Sequence, residues 1–412
     1  MTSMRCPIDL EEFADSVSDP MAARFFPPAV YSADDFYRFE LAAIWEREWV
    51  CVGRLEEIAA PGDYFAATIA EEPILIVRAS QEEVVALSAV CRHRGMLVAE
   101  GKGNCGRAFV CPYHHWAYDR HGRLIAATQM EGVGTFDRGE IHLPRLRTEI
   151  WKGFVFVNFD DAAAPLAERL APLEALLAPY DVENLRGEFL CDSEYRMQFD
   201  FDWNWKIYTD GQNECYHCDK LHGETPCMVG YDFATSEIGL SDHDAGLFCY
   251  HMRSRTIDVT LNHLGRAIFP ALEGLSEEQR WMTHSVVIAP GMFMQLLPDS
   301  VIAVSWVPTG PMSVRIKRHR LYPQSTLSRK DFVERHREEQ AAVREFVEQD
   351  LYAFERVQRG LRSRFAPRGP ISAREQVMVG FNRWLVDRYR DADARASLAF
   401  DRGGHSAVGS RD

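Results

Sequence analysis

The spacing of apolar residues changes several times along the chain, and each change predicts a different element. Residues 34–49 (DDFYRFELAAIWEREW) place apolar side chains at helical intervals, with Ser32 and Asp34 available as caps, and predict an amphipathic helix. From 50 to 160 the pattern shortens to runs such as 74–77 (ILIV), 83–87 (EVVAL), 108–110 (AFV) and 153–159 (GFVFVNF), separated by Gly, Pro and Asp. Such runs predict strands, and together an all-β module of about 110 residues. A helical pattern interrupted at Pro172 follows, and residues 203–222 read as a further helix crowded with polar and aromatic side chains. Four strand-like runs between 284 and 322, joined by Pro-Gly, Pro-Asp and Thr-Gly turns, suit an antiparallel sheet. Residues 328–364 predict a long helix with Gly360 near its end, residues 372–389 a last one, and the polar stretch after Ala396 a mobile tail. The fold class is therefore α+β.

Composition narrows the functions compatible with this pattern. The 412 residues suffice for two or three domains, and 46% hydrophobic content is that of a folded globular chain. Asp and Glu (61) outnumber Lys and Arg (46), and the net charge of −15 argues against nucleic acid or an anionic membrane as partner. The start of the chain lacks the apolar core of a signal peptide, and no apolar run reaches the ~18 residues of a membrane span. A cytoplasmic location is expected, in which the ten cysteines and fourteen histidines read as metal ligands or catalytic groups before disulfides.

Two clusters carry chemistry. The first, Cys91-x-His93 and Cys111-x-x-His114, is separated by seventeen residues, and both halves fall between predicted strands. A Cys₂His₂ zinc site is one reading, but zinc fingers pair like with like along the chain, whereas each half here is mixed. The mixed order suits a [2Fe–2S] cluster in which imidazoles replace two thiolates and raise the potential. Gly101, Gly103 and Gly106 within this run spell G-x-G-x-x-G, yet a strand-like sequence follows them instead of a helix, so they read as turn glycines.

The second cluster contains His217 and His222. Their five-residue separation would set them ~140° apart on an ideal helix, so joint use as ligands requires an irregular turn between them. Cys215-x-x-Cys218 offers zinc or redox chemistry as an alternative; otherwise these are ordinary reduced thiols, as are the six remaining cysteines. A third ligand is sought on the long helix. There Asp350 interrupts an apolar stripe of Val343, Phe346, Phe354 and Val357, while Glu345 and Glu348 lie off it and Asp299 sits in a turn. A carboxylate on a buried face must be paired or bound to metal. Two His and one carboxylate would make the facial triad of non-haem Fe(II), with an internal ion pair as the alternative for Asp350.

The run C-P-Y-H-x-W-x-Y at 111–118, N-W-K at 204–206, E-C-Y-H-C at 214–218, His222 and D-x₇-Q-R-G at 350–360 together resemble the oxygenase (α) component of a Rieske non-haem iron oxygenase. The resemblance spans nearly the whole chain. It implies that Cys91 and Cys111 hold one iron of the cluster, and His93 and His114 the other. His217, His222 and Asp350 hold a mononuclear Fe(II) that activates O₂. It implies a Rieske domain at 46–160, a helix-grip catalytic domain at 161–395 against which residues 1–45 pack, and a flexible tail at 396–412. It further implies a head-to-tail homotrimer, because the two centres within one chain lie too far apart for fast transfer. Glu214 would bridge His114 or His93 of one subunit to His217 of the next. Electrons would come from a separate NAD(P)H reductase, with or without a ferredoxin, since the chain carries no nucleotide or flavin motif.

The Glu of E-C-Y-H-C is similar to homotrimeric members acting on choline, betaine, carnitine or stachydrine-like amines by hydroxylation or oxidative N-demethylation; ring hydroxylation and a purely electron-carrying protein are the alternatives. Aromatic residues between Trp203 and Trp306, Tyr250 among them, are candidate pocket walls. Two positions depart from the family pattern: His115 replaces a Gly, and Asp210-Gly211 replaces Glu-Asn, which predicts a roomier iron pocket or an added water.

Overall fold

The computed structural model describes residues 4–187, 198–223, 225, 228–262 and 264–404. The chain divides into two compact units, Trp45–Leu166, and Met1–Ile44 together with Ala167–Asp412. Among the described residues no helix is long and apolar enough to cross a membrane.

The first unit is built on a seven-stranded antiparallel sheet with spatial order Val50–Arg54, Phe154–Asn158, Arg145–Trp151, Val84–Ser88, Glu72–Arg78, Asp63–Ile69 and Lys102–Asn104. Pairs such as Leu75↔Leu87 and Val77↔Val85 put their side chains into one core. A smaller sheet of Ala108–Val110, Ala117–Asp119 and Leu124–Ala126 carries Phe109, Tyr118 and Leu124 into the same core, which also encloses Cys91 and Cys111. The G-x-G-x-x-G run leads into these strands, with Gly101 and Gly106 at φ +63° and +61°, so its glycines serve turns.

The second unit holds an eight-stranded antiparallel sheet. Its path runs Arg186–Gly187, Ser313–Tyr322, Val301–Gly310, Met292–Leu296, Met282–Ile288, Leu247–Arg253 and Glu237–Asp242, with Gln198–Phe201 also pairing Ser313–Tyr322. Five helices matter here: α1 (Asp34–Glu40), α2 (Trp205–Gln212), α3 (Cys218–Leu221), α4 (Phe332–Leu361) and α5 (Gln376–Gly404). The predicted helix at 34–49 ends sooner, passing into a π turn at Leu41–Trp45. α5 runs on to Gly404, well past the predicted 389, because Ala392 and Ala396 continue its buried face.

Buried charge fastens these helices. Arg320 on the sheet donates to Glu339 of α4 at 2.7 Å and to Ser300 at 3.1 Å, while the Tyr322 hydroxyl donates to the other Glu339 oxygen at 2.9 Å. Lys206 of α2 is fully buried and pairs with Glu40 of α1 at 2.6 Å; the Trp205 indole and the Tyr389 hydroxyl also donate to Glu40. Desolvation at these depths is offset only where such hydrogen bonds are complete.

Candidate active site

The two Cys/His loops of the first unit repeat one backbone design. Gly95 N–H bonds Cys91 O and His115 N–H bonds Cys111 O, both at 3.0 Å, while the cysteine amides donate to Met96 O and Trp116 O at 2.8 Å. Each loop turns through a left-handed residue, Gly95 at φ +76° and His115 at φ +55°. The His115 departure thus places a side chain where glycine is favoured, without altering the loop bonding. Cys91 and Cys111 are buried, whereas His93 and His114 lie towards solvent with their Nδ1 atoms 3.1 Å apart. Trp116 stacks on the His93 ring at 4.7 Å. The Tyr118 hydroxyl accepts from Arg92 N–H at 3.0 Å, leaving its own proton for Cys91 Sγ at 3.3 Å. Burial, with the neighbouring Cys91 adding to it, raises the Cys111 thiol above its ordinary range. Two inner thiols and two outer, paired imidazole nitrogens suit a two-iron cluster with one kind of ligand on each iron.

In the second unit the helix predicted across 203–222 is broken. α2 ends at Gln212, and the one-turn α3 begins after His217. Glu214 makes the break: its Oε2 accepts from the amides of Tyr216 and His217, closing a turn in place of helical bonds. His217 and His222 cap α3 at its two ends with helical bonds between them, Leu221 N–H to His217 O at 2.8 Å and His222 N–H to Cys218 O at 3.2 Å. The irregularity therefore lies before His217 and not between the two, and their rings still approach to 5.1 Å.

The same turn corrects the expectation of reduced thiols at Cys215 and Cys218. Their Cα atoms lie 5.0 Å apart and the sulfurs are bonded as a disulfide, because the tight turn brings both side chains to one side. Cys91 and Cys111, like Cys6, Cys51, Cys105 and Cys249, form no disulfide, while Cys191 and Cys227 lie outside the described residues.

Asp350 of α4 faces the two histidines, its Oδ1 2.9 Å from His222 Nε2 and 3.5 Å from His217 Nε2. The Glu214 carboxylate binds His217 Nδ1, and Gln349 Oε1 binds His222 Nδ1 at 2.8 Å. Both Nδ1 atoms face acceptors and must carry the proton, so in the neutral rings both Nε2 atoms present lone pairs to Asp350 Oδ1. That oxygen is buried and has no hydrogen-bond partner. Three lone-pair donors directed at one point need a cation, and among the described residues this trio brings its ligand atoms within 4.8 Å of one another. Two imidazoles and a carboxylate match the donor set of non-haem Fe(II). Burial pushes His217 down, but the hydrogen bond and charge of Glu214 outweigh it and the net shift is upward.

The trio opens on a cleft whose walls include Tyr231, Tyr250, Phe346, Met228, Met252 and Gln295. Of the aromatic candidates only Tyr250 lines it; Trp205, Phe248 and Trp306 are core, and Tyr216 is exposed. Gln349, Tyr231 and Gln295 were not legible beforehand. Gln349 adjoins Asp350, but nothing in its type marks it as a histidine partner. Val357 is 47% exposed, so the stripe on α4 ends at Phe354. Asp299 is buried beside Arg320 at 3.9 Å, away from the trio. Gly211 lines the cleft, and a Cβ there would lie 2.6 Å from the Phe354 ring.

A family model described as Rieske [2Fe-2S] domain matches residues 48–137, and one described as ring hydroxylating alpha subunit (catalytic domain) matches 190–391. The glycine betaine monooxygenase oxygenase subunit of Chromohalobacter salexigens is 34% identical over 221 residues, 53% of this chain and 48% of that protein. The carnitine monooxygenase oxygenase subunit of Acinetobacter pittii is 30% identical over 210 residues, 50% of this chain and 55% of that protein. The matched stretches thus span about half the length of these curated relatives. The solved quaternary ammonium Rieske monooxygenase CntA superposes with a TM-score of 0.73 at 24% identity, covering 91% of this chain and 98% of its own, a likeness of fold.

Proposed function

We propose that the chain belongs to the ring-hydroxylating oxygenase α-subunit family, with a Rieske domain ahead of its catalytic domain, and that it is the oxygenase component of a Rieske non-haem iron oxygenase system. Its substrate on this reading is a small quaternary ammonium or betaine-type amine, hydroxylated or oxidatively N-demethylated. The observation that carries the reading is the convergence of His217 Nε2, His222 Nε2 and Asp350 Oδ1 on one point beside a cleft. When loaded, the cluster held by Cys91, His93, Cys111 and His114 supplies electrons one at a time, and Fe(II) at the trio supplies open positions for O₂.

The protein's own groups do the rest. Glu214 and Gln349 each hold one Nδ1–H, which fixes the tautomer and turns both Nε2 atoms inward. Glu214 also stands as the bridge by which an imidazole of a neighbouring copy in a head-to-tail trimer reaches His217. Tyr231, Tyr250 and Phe346 offer aromatic faces to an alkylammonium group, and the Glu214 and Asp350 carboxylates add negative charge to the same cleft. Insertion of one oxygen into an N-methyl C–H consumes O₂, two electrons and two protons and releases water; the N–CH₂OH product then collapses to amine and formaldehyde.

The electrons come from a separate NAD(P)H-dependent reductase. Iron and acid-labile sulfide analysis tests the cofactors: three irons and two sulfides per chain are expected, whereas two irons would indicate an electron carrier and zinc alone a binding protein. Oxygen uptake with reductase across a panel of amines and arenes, read with formaldehyde release, tests the substrate class. Hydroxylated arene without formaldehyde would overturn the amine reading.

A further inference from the structure

We infer that the contact between Gly211 and Phe354 sets the depth at which α4 docks, and thereby the distance of Asp350 from the two histidines. The inference rests on the metal reading of His217, His222 and Asp350. Gly211 lies in the last turn of α2. Its φ is not in the left-handed region, so conformation does not require glycine there. Space does. An added Cβ would meet both Cε1 and Cζ of Phe354 at 2.6 Å, and ordinary contact begins at 3.4 Å, so the ring would have to retreat by about 0.8 Å.

The ring has little freedom to swing aside. Phe354 is 7% exposed, and Trp203 and Tyr208 pack edgewise on it at 5.9 and 6.0 Å. One turn further along α4, Gln358 accepts from Asn204 N–H at 2.7 Å and donates to Tyr31 O at 3.2 Å, which pins that end of the helix. Displacement at Phe354 is therefore relieved towards the preceding turn. That turn carries Asp350, four residues and about 6 Å away on the same helix face. Metal–ligand distances tolerate about 0.2 Å, several times less than the retreat required. Gly211 and Phe354 are thus positioning residues: they touch no ligand atom and act through Asp350.

The test compares Gly211→Ala, Phe354→Leu, the double variant and Phe354→Trp in the full chain with its cluster intact. The readouts are anaerobic Co(II) titration of the mononuclear site, the visible spectrum of bound Co(II), and the melting temperature of the protein before Co(II) is added. Gly211→Ala is expected to weaken Co(II) binding about tenfold or more. Phe354→Trp, which enlarges the ring against an unchanged glycine, should do the same. Phe354→Leu added to Gly211→Ala should restore affinity to within about threefold of the parent. Parent-like Co(II) affinity in both Gly211→Ala and Phe354→Trp would overturn the inference, as would a double variant no better than Gly211→Ala. Loss of affinity that merely tracks melting temperature, without recovery in the double variant, would assign the pair to general packing. A parent chain that binds no Co(II) at the trio would instead defeat the metal reading itself.

Discussion

At the scale of single residues, the chemistry depends on which atom of each ring is left free. Glu214 occupies His217 Nδ1 and also closes the turn that delivers His217, so one side chain has an orienting and a folding role. Glu214→Gln, whose amide oxygen can still accept from the Tyr216 and His217 amides and keep the turn, is expected to retain both metals while turnover falls about 100-fold; metal analysis beside oxygen uptake checks it, and coupled turnover at the parent rate would remove the bridge. Tyr118 acts on the other centre through its proton to Cys91 Sγ. Hydrogen bonds to the sulfurs stabilise the reduced cluster, so Tyr118→Phe is expected to lower the reduction potential, read by redox titration of the Rieske spectrum. An unchanged potential would show that the hydroxyl proton points elsewhere.

At the scale of elements, buried ionic groups hold helices in register with the sheet. Glu339 joins α4 to Arg320 and Tyr322 at zero exposure. Removing it takes the nearest counter-charge from a buried guanidinium and leaves Asp299 at 3.9 Å, and Glu339→Ala is expected to cost about 3 kcal/mol in urea unfolding; a loss below about 1 kcal/mol would show that the network relaxes. α2 is tied to the N-terminal segment in a second way, since the Tyr31 hydroxyl donates to Asp210 at 3.0 Å. Burial pushes the Asp210 carboxyl up to about 7, against the hydrogen bond from Tyr31 and the charge of Lys206. A folded-state value above the unfolded one near 3.9 means that the folded chain holds the extra proton between them. The contribution of this group to stability is therefore complete below about pH 4 and is lost as pH rises through 7. Asp210→Asn should flatten that decline, measured as urea midpoints at about pH 5 and pH 8; an unaltered pH slope would count against the raised carboxyl.

At the scale of the whole molecule, the proposed electron path draws on groups of both units. The paired imidazoles of the first unit face solvent, and Glu214 of the second carries a carboxylate beside the metal trio. If transfer runs between subunits, a chain with His114→Ala and a chain with Asp350→Ala are each inactive alone. Co-expressed as mixed trimers, they should regain a substantial fraction of parent turnover. Mixed trimers without activity would place the transfer within one chain.

The amino-acid sequence by itself determined the elements and most of the donor atoms. Short apolar runs and turn residues marked the strands at 74–77 and 108–110, and the spacings around Cys91, His93, Cys111 and His114 pointed to two candidate ligand loops. Asp350 was legible because a lone acid in an apolar stripe has few reasons to be there. Tertiary structure decided what depends on approach between segments distant along the chain. It placed Gln349 on His222 and put the Phe354 ring against Gly211, while the local turn where the helix predicted across 203–222 gives way joined Cys215 to Cys218. Hydrophobic period reports which face of an element is buried, but carries no information on which partner, at what distance, that face will meet.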